Sequence, residues 1–219
     1  MSSGPQRFRD RADAGRQLAR RLAAFAAERP VIVALPRGGV VVAYEIARAL
    51  GAPLDVLVAR KLGAPRQPEF GVGAIAPGGM LIVDPQAVSF AGMTDEDLER
   101  VTRKERDEMQ RRERLYRDDH PALDVNGRVV ILVDDGIATG VTVRAAIMAL
   151  RALGARRVIL AVGVCSREAA AAIGPTVDDF VALVIPEELS AVGPYYDDFG
   201  QVTDNVVIDL LARSRVPPR

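Results

Sequence analysis

The sequence predicts an α/β fold in which a parallel, Rossmann-like sheet is flanked by helices. Residues 31–35, 129–133 and 157–164 are short runs of branched apolar residues, as expected of strands buried on both faces. The first two runs lead through a Gly-containing loop into a helical pattern. Repeated strand–loop–helix units favour parallel pairing of the strands. We therefore expect one parallel sheet with helices packed on it.

The remaining elements follow from local signals along the chain. Pro30 ends a first helix, Gly51 ends a second, and the Pro-Gly-Gly of residues 77–79 predicts the turn of a small antiparallel hairpin. The predicted helices are residues 10–28, 40–50, 94–118, 143–153, 168–173 and 204–212. The predicted strands are residues 31–35, 54–59, 70–76, 80–83, 129–133, 157–164 and 179–185.

The longest predicted helix, residues 94–118, carries mostly charged side chains. Thr94 and Asp97 have the spacing of a capping box, which marks the start of the helix. Only a thin apolar stripe, which includes Leu98 and Met109, follows the helical repeat. Acidic and basic residues are interleaved, so we interpret the helix as solvated and docked by one edge rather than as a nucleic-acid surface.

The composition predicts one domain without a strong electrostatic field. Of the 219 residues 49% are apolar, which is enough for a buried core. We expect a single domain over residues 1–219, with a core at about residues 30–184. A C-terminal hood would comprise about residues 185–203 and the N-terminal segment. Lys plus Arg and Asp plus Glu both number 29, so no net charge attracts nucleic acid or an anionic membrane.

Two absences in the sequence bear on the compartment. Cys165 is the only cysteine, so no internal disulfide can form, as in proteins of reducing compartments. Residues 1–10 lack the apolar stretch of a secretory signal, and no apolar run reaches the ~20 residues of a membrane span. We expect a soluble, cytoplasmic protein with no membrane or nucleic-acid partner. The sequence is compatible with a homo-oligomer and does not decide the oligomeric state.

Residues 129–142 hold the most informative motif of the chain. Asp134 and Asp135 follow the predicted strand, and a Gly/Thr loop that starts at Gly136 leads into the next helix. Ligands of open α/β sheets bind beyond the carboxyl ends of the strands. Backbone N–H groups of such a loop, with the positive end of the helix, form an anion cradle. Acids beside a phosphate cradle fit a phosphorylated sugar, whose hydroxyls and metal ion need oxygen ligands.

Two other kinds of phosphate loop do not fit the sequence. A Walker loop needs a Lys before the hydroxyl residue at the helix start, and here Val141 precedes Thr142. Residues 71–76 fit the dinucleotide pattern G-x-G-x-x-A, but a second apolar strand follows them instead of a helix. The sequence therefore argues against a nucleoside triphosphate loop and against a nicotinamide cofactor.

Residues 134–142 resemble the phosphoribosyl-pyrophosphate (PRPP) motif of type I phosphoribosyltransferases, in which two acids precede a Thr-Gly-x-Thr loop. In that family the loop holds the 5′-phosphate, and the acids contact the ribose hydroxyls close to magnesium. The resemblance implies the type I phosphoribosyltransferase fold and Mg²⁺ as cofactor, held by Asp134 and Asp135 through water. The implied PRPP-binding residues are Asp134, Asp135, Gly136, Ile137, Ala138, Thr139, Gly140, Val141 and Thr142.

The Pro-Arg-Gly-Gly of residues 36–39 is a second candidate for binding phosphate. Its glycines allow close approach of the backbone, the next helix points N–H groups at the loop, and Arg37 can grip an anion. It resembles the family's pyrophosphate loop, in the Arg-Gly-Gly form of xanthine–guanine phosphoribosyltransferases, which often contains a non-proline cis peptide. A plain Gly-rich turn is the structural alternative.

The family resemblance also assigns basic residues to the leaving group. Arg60 and Lys61 correspond to a basic pair of orotate- and adenine-type members, although a solvated strand end would look the same. The family's mobile loop would match residues 62–79, with Arg66 closing over the leaving group. The implied pyrophosphate-binding residues are Pro36, Arg37, Gly38, Gly39, Arg60, Lys61 and Arg66.

The acceptor is expected to bind at residues 185–199, an irregular segment whose apolar and aromatic residues can sandwich a planar ring. The segment resembles the hood of purine phosphoribosyltransferases. The implied acceptor contacts are Ile185, Pro186, Val192, Tyr195 and Tyr196. Packing is an equal alternative for the two tyrosines, and Glu187, Asp197 and Asp198 are candidate general bases.

The motifs together imply transfer of ribose 5-phosphate from PRPP to a nucleobase or similar nitrogen heterocycle, with release of pyrophosphate. The implied catalytic residues are Asp134, Asp135, Arg37 and Lys61. Their combination is most similar to a bacterial group of predicted phosphoribosyltransferases with no assigned acceptor, so the acceptor stays open. A PRPP-binding regulator without turnover and a phosphosugar hydrolase are the alternatives. We expect His120 in an exposed loop and Cys165 as a buried structural residue.

Overall fold

The computed structural model describes residues 7–118 and 120–215, apart from the side chain of Glu69. The predicted single domain includes residues 1–6, 119 and 216–219, which lie outside the described residues. The helices are α1 (Arg11–Leu22), α2 (Gly38–Leu50), α3 (Pro85–Phe90), α4 (Asp95–Arg117), α5 (Val141–Ala152), α6 (Arg167–Ile173) and α7 (Asp204–Arg215). The strands are β1 (Val31–Ala34), β2 (Leu54–Val56), β3 (Arg60–Ala64), β4 (Gln67–Ala76), β5 (Met80–Val83), β6 (Val129–Ile137), β7 (Arg157–Cys165) and β8 (Asp179–Val184).

The central sheet is parallel, as predicted, and its strand order is β2-β1-β6-β7-β8. From β1 the chain crosses to β2 on one side, and from β6 it crosses to β7 on the other. This divergence opens a crevice at the carboxyl ends of β1 and β6, where ligands of doubly wound folds bind. Residues 35–37 follow β1 and residues 138–140 follow β6, so both predicted phosphate loops begin at the crevice.

Alternate residues of the strands supply two apolar cores. Ile131 and Val133 of β6 pack with α1, α2 and α7 on one face of the sheet, and Val130 and Leu132 pack with α5 on the other. A strand that is buried on both faces has little freedom to move. The segment that follows Val133 is therefore held on a rigid base.

β6 is longer than predicted, because β7 continues to pair with it as far as Ile137 and Cys165. Asp134 and Asp135 lie within this strand and not in the loop behind it. The predicted strand ended at Val133 because the run of branched apolar residues ends there. Here the β7 ladder fixes the backbone of both.

The stretch after β2 forms a second, antiparallel sheet of β3, β4 and β5. The β4–β5 hairpin confirms the prediction. The prediction of one strand over residues 54–59 that reaches Arg60 was wrong, since β2 ends at Val56 and β3 starts at Arg60. Residues 62–79, expected as a mobile loop, form most of the small sheet. Polar residues and a glycine hide β3 in the sequence, but its Leu62 is fully buried.

The N-terminal segment and the hood lie together. The Phe8 N–H donates to the Tyr195 carbonyl at 2.9 Å, and the Asp197 N–H donates to the Phe8 carbonyl at 2.8 Å. α1 follows directly and ends at Leu22, where a 3₁₀ turn replaces the rest of the predicted helix. Among the described residues, every helix is too short or too polar to cross a membrane.

Candidate functional site

The Pro-Arg-Gly-Gly loop lies directly against the acidic motif. The Leu35 N–H donates to the Val133 carbonyl at 2.9 Å, which extends the β1–β6 ladder to the start of the loop. The Pro36–Arg37 peptide bond is cis, as the family resemblance implied. A Cβ on Gly39 would lie 2.8 Å from the Val133 carbonyl oxygen and 3.3 Å from Asp134 Oδ1. The Pro-Arg-Gly-Gly loop and the acidic pair therefore lie side by side at the crevice.

Asp134 and Asp135 are adjacent acidic residues whose negative charges repel each other. The Asp135 N–H donates to Asp134 Oδ1 at 2.9 Å. Burial raises the pKa of the Asp134 carboxyl well above its ordinary value, and the negative charge of Asp135 raises it further. The positive charge of Arg11 works in the opposite direction. A cation or hydroxyl groups placed against this pair would relieve the cost of its ionised form.

Arg11, at the start of α1, pairs with this acidic motif. Its Nε donates to Asp135 Oδ2 at 2.6 Å, and its Nη1 donates to the Gly200 carbonyl at 2.8 Å. Its guanidinium lies over the Phe199 ring, 3.8 Å from the ring centroid. The Arg11 and Asp135 side chains are only 11% and 15% exposed. No sequence pattern singles out Arg11, because 124 residues separate it from Asp135 and α1 is rich in arginine.

Gly38 leaves the space in which this ion pair forms. A Cβ at residue 38 would collide with Asp135 Oδ2 and would lie 2.9 Å from Arg11 Nε. The backbone of the Pro-Arg-Gly-Gly loop thus packs against the ion pair without a side chain between them. Glycine is required here by this close approach.

The helices that begin at the crevice lack side-chain caps. Within the part of the chain that the structure describes, no side chain caps α2, which starts after Arg37, or α5, which starts after Gly140. Side-chain oxygens of Asp10, Asp84, Thr94 and Ser166 cap α1, α3, α4 and α6, respectively. The N–H groups in an uncapped first turn are available to an anion. Both uncapped helices carry a predicted phosphate loop.

Ser166 fixes the loop between β6 and α5. Its hydroxyl donates to the Ala138 carbonyl at 2.7 Å and accepts the Ala169 N–H at 3.0 Å. The same residue thus caps α6 and holds Ala138 in the loop between β6 and α5. In the sequence Ser166 has the pattern of an ordinary helix cap, so its second contact could not be predicted.

Arg37 is linked to the outer helices through Asp204. Its Nη1 lies 3.7 Å from Asp204 Oδ1, and the Tyr116 hydroxyl donates to the same oxygen at 2.5 Å. Burial and then the Asp204 carboxylate raise the pKa of Tyr116 to about 12, so the hydroxyl remains a donor at neutral pH. The orientation of Arg37 therefore depends on α4 and α7.

The other predicted pyrophosphate contacts lie on or beside the small sheet. Arg60 Nε donates to Glu105 Oε2 of α4 at 2.8 Å. The stem of Lys61 packs beside Gly71, where a Cβ would lie 3.2 Å from Lys61 Cδ. Arg66 is exposed in the turn between β3 and β4. Among the described contacts of Arg60 and Arg66, none joins residues 36–39, so their role stays a prediction.

The predicted acceptor residues divide into buried and accessible ones. Tyr196 is 4% exposed, and its ring packs against Phe8 and Phe199. Its hydroxyl donates to the Asp135 carbonyl at 2.6 Å, so Tyr196 supports the acidic motif from the hood. The accessible or half-buried ones are Ile185, Pro186, Val192 and Tyr195.

The candidate general bases lie on the surface of the hood. Glu187 Oε1 is 3.4 Å from Arg167 Nη2, and Asp197 Oδ1 is 3.7 Å from Arg7 Nη1. Asp198 Oδ1 accepts the Gly200 N–H at 3.0 Å. These described contacts do not include the acidic pair. A general base for the acceptor therefore stays a prediction.

His120 and Cys165 lie where the sequence predicted them, one in an exposed loop and the other buried. His120 is exposed, in the coil that follows α4. Cys165 is fully buried at the end of β7, and burial raises the pKa of its thiol to about 11. A buried thiol of this kind is a poor nucleophile at neutral pH.

The carboxylates at the crevice suit a metal ion shared with a substrate. Within residues 7–118 and 120–215, no group of three or more His, Cys, Asp or Glu side chains could hold a metal ion. Mg²⁺ usually takes one or two carboxylates and completes its shell with water and substrate phosphates. Asp134 and Asp135 form a donor set of that type, and a cation would offset their repulsion.

Comparison with known proteins decides the family. The family model for the phosphoribosyl transferase domain matches residues 8–197. The chain belongs to the phosphoribosyl transferase domain family. The matched part of this phosphoribosyl transferase domain includes the crevice, both loops and most of the hood.

Relatives of known sequence and structure agree with this membership. Two proteins of Mycobacterium tuberculosis, from strains CDC 1551 / Oshkosh and ATCC 25618 / H37Rv, are named as proposed phosphoribosyl transferases and are 43% identical over 207 residues. The match covers 94% of this chain and 47% of each relative, so the chain spans about half the length of the curated relatives. The crystal structure of TT1426 from Thermus thermophilus is 46% identical, with a TM-score of 0.80. That match covers 95% of this chain and 99% of TT1426, and it confirms the α/β fold.

Proposed function

We propose that this phosphoribosyl transferase domain transfers ribose 5-phosphate from PRPP to a nucleobase or a similar nitrogen heterocycle, with Mg²⁺, and releases pyrophosphate. The observation that carries the proposal is the pair of uncapped helices, α2 and α5, that begin beside Asp134 and Asp135 at the crevice. PRPP has matching chemistry, because a phosphate, two hydroxyls and a pyrophosphate lie on one small molecule. Family membership supports the same substrate.

The 5′-phosphate binds at residues 138–142, where N–H groups of the loop and of the first turn of α5 receive it. Asp134 and Asp135 accept hydrogen bonds from the ribose hydroxyls. Anchoring both ends of the ribose holds its C1 carbon in place, which reduces the entropic cost of the reaction. Ser166 and the β7 ladder support this half of the site.

The leaving group is stabilised at the N-terminus of α2. The bond between C1 and pyrophosphate breaks as the acceptor nitrogen bonds to C1, so negative charge grows on the pyrophosphate. N–H groups of residues 37–39 and the Arg37 guanidinium neutralise that charge. The positive charges of Lys61 and Arg66 neutralise more of the negative charge on the pyrophosphate. Arg60 does the same once it leaves Glu105, to which its Nε donates.

Magnesium, when bound, neutralises the phosphate oxygens of the substrate. Asp134 and Asp135 would hold the ion through water. The acceptor ring lies against the hood, where Ile185, Pro186, Val192 and Tyr195 line its accessible side. An apolar lining accepts many planar rings, so polar contacts select among the possible acceptors.

A PRPP-binding regulator without turnover is the second candidate. The observation that favours it is the surface position of Glu187, Asp197 and Asp198, since none has a described contact with the acidic pair. An acceptor that must lose a proton needs a base within hydrogen-bond reach. A regulator would bind PRPP with the same residues and would release no pyrophosphate.

Pyrophosphate release separates these functions. The protein is incubated with PRPP and Mg²⁺ alone and with a panel of nucleobases and related heterocycles. Release that depends on one acceptor supports the transferase, and tight PRPP binding without release in any mixture supports the regulator. Release in water alone would indicate a phosphosugar hydrolase.

The control is the double variant Asp134→Asn with Asp135→Asn. It should lose PRPP-dependent turnover while its circular dichroism spectrum remains that of a folded α/β protein. Full activity in a folded double variant would refute the assignment of the acidic pair.

A further inference from the structure

Arg11 lies outside both phosphate motifs, yet it contacts the acidic pair and the hood at once. We propose that Arg11 is a positioning residue, which holds the Asp135 carboxylate in the orientation that receives the ribose of PRPP. This inference rests on the proposed function, because it requires that the ribose contacts Asp135. It adds a functional residue, from a helix remote in sequence, that neither motif contains.

Arg11 constrains one oxygen of the carboxylate and leaves the other for a ligand. Its Nε engages Asp135 Oδ2 at 2.6 Å. The hydrogen bond from Arg11 ends on Oδ2, so Arg11 itself does not occupy Oδ1. A carboxylate that is fixed in this way does not lose rotational freedom when it binds a hydroxyl.

The shape of arginine matches the three contacts that this position makes. The planar guanidinium presents Nε to Asp135, Nη1 to the Gly200 carbonyl and its face to Phe199. A lysine has one compact ammonium group and cannot make these contacts together. Both Arg11 and Asp135 are largely buried, so water screens their interaction only weakly.

Two neighbouring residues, Gly38 and Tyr196, also restrict the position of Asp135. Gly38 approaches Asp135 Oδ2 so closely that a Cβ there would displace the carboxylate. The Tyr196 hydroxyl holds the Asp135 carbonyl at 2.6 Å. The side chain and the backbone of Asp135 are therefore both held, and Arg11 supplies the charged contact.

A purely structural role for Arg11 predicts a different behaviour. If Arg11 only fastened α1 and the hood to the sheet, its loss would loosen the whole site. Binding of every ligand would then weaken together. If Arg11 positions Asp135, its loss should weaken ligands that carry the ribose and spare a ligand that lacks it.

The test compares PRPP with inorganic pyrophosphate, both titrated calorimetrically with Mg²⁺ into wild type, Arg11→Gln, Arg11→Lys and the control Arg20→Gln. Arg20 is an exposed arginine of the same helix without a described partner. We expect Arg11→Gln to raise the Kd for PRPP by about 10- to 100-fold, as for residues that orient a ligand-binding group. The Kd for pyrophosphate should rise less than about threefold. Arg20→Gln should match wild type.

Arg11→Lys decides the matter if Arg11→Gln does not fold, as judged by thermal melting. Lysine keeps the positive charge but lacks the several donors of the planar guanidinium. The affinity of this variant for PRPP should therefore also fall, while its affinity for pyrophosphate should remain that of wild type. Wild-type PRPP affinity in a folded Arg11 variant, or equal weakening of both ligands, would overturn the positioning role. Wild type that binds no PRPP overturns the proposed function itself, and that result is visible before any variant is measured.

Discussion

At the scale of single residues, the backbone of Asp135 is closely packed by its neighbours. Gly163 of β7 lies under the hood, where a Cβ would collide with the Tyr196 hydroxyl. The same Cβ would lie 2.9 Å from the Asp135 carbonyl oxygen, which belongs to the central sheet and has little room to shift. A side chain at this position would therefore push the hood away from the acidic pair.

The substitution Gly163→Ala tests this contact. We expect the free energy of unfolding to fall by about 1–3 kcal/mol, the usual cost of overpacking, as measured by urea denaturation. The matched control is Gly174→Ala, since a Cβ there meets no atom within 4 Å and its stability should hold or rise slightly. Equal stability of the two variants would contradict the tight seating of the hood.

Tyr116 gives a prediction about pH. Its pKa of about 12 in the folded protein lies above the ordinary 10, so folding favours the protonated hydroxyl. Its contribution to stability is complete below pH 10 and is lost as the pH rises from 10 to 12. At pH 8, Tyr116→Phe should lower the free energy of unfolding by about 1 kcal/mol through the lost hydrogen bond to Asp204.

Denaturation of wild type and Tyr116→Phe at pH 8 and pH 11 checks this sign. The stability difference between the two proteins should shrink at the higher pH. A difference that grows with pH would show that the hydroxyl does not donate to Asp204 in the folded state.

At the scale of secondary-structure elements, side-chain caps distinguish α1, α3, α4 and α6 from α2 and α5. Thr94 caps α4 with the reciprocal hydrogen bonds of a capping box. Ser166 caps α6 and also holds the Ala138 carbonyl. Among the described residues no side chain caps α2 or α5, so their first N–H groups are open to the substrate phosphates that we propose.

Ser166→Ala and Thr94→Ala should therefore differ in their effect on binding. Each removes a helix cap and should cost about 1 kcal/mol of stability in chemical denaturation. Only Ser166→Ala frees the loop that we propose for the 5′-phosphate, so only this variant should weaken PRPP binding in calorimetry. Similar PRPP affinity of both variants would argue against a supporting role for Ser166.

At the scale of the whole molecule, local signals in the sequence predicted the parallel sheet, the β4–β5 hairpin and the capping box of α4. These features depend on periodicity and turn chemistry within a few residues. β3 escaped prediction because Arg60 and Lys61 interrupt its apolar pattern, and only its pairing with β4 makes it a strand. The extension of β6 likewise depends on β7.

The sequence predicted those parts of the candidate site in which a single motif contains both a loop and the start of a helix. It did not predict the residues that reach the site from distant parts of the chain. Residues 36–39 and 134–142 could be recognised on that basis. Arg11, Ser166 and Asp204 could not, because their roles depend on contacts with residues far away in the sequence. For Tyr196 an acceptor contact and packing were equal alternatives, and the structure shows it buried by aromatic packing that no local pattern specifies.

The central claim is that the crevice between β1 and β6 binds PRPP, with one phosphate group at each uncapped helix. A crystal structure of the protein with PRPP and Mg²⁺ tests it most directly. We predict the 5′-phosphate at the N-terminus of α5, the ribose hydroxyls on Asp134 and Asp135, and the pyrophosphate at residues 37–39. PRPP bound away from the crevice, or a crevice that stays empty at saturating PRPP, would contradict the account.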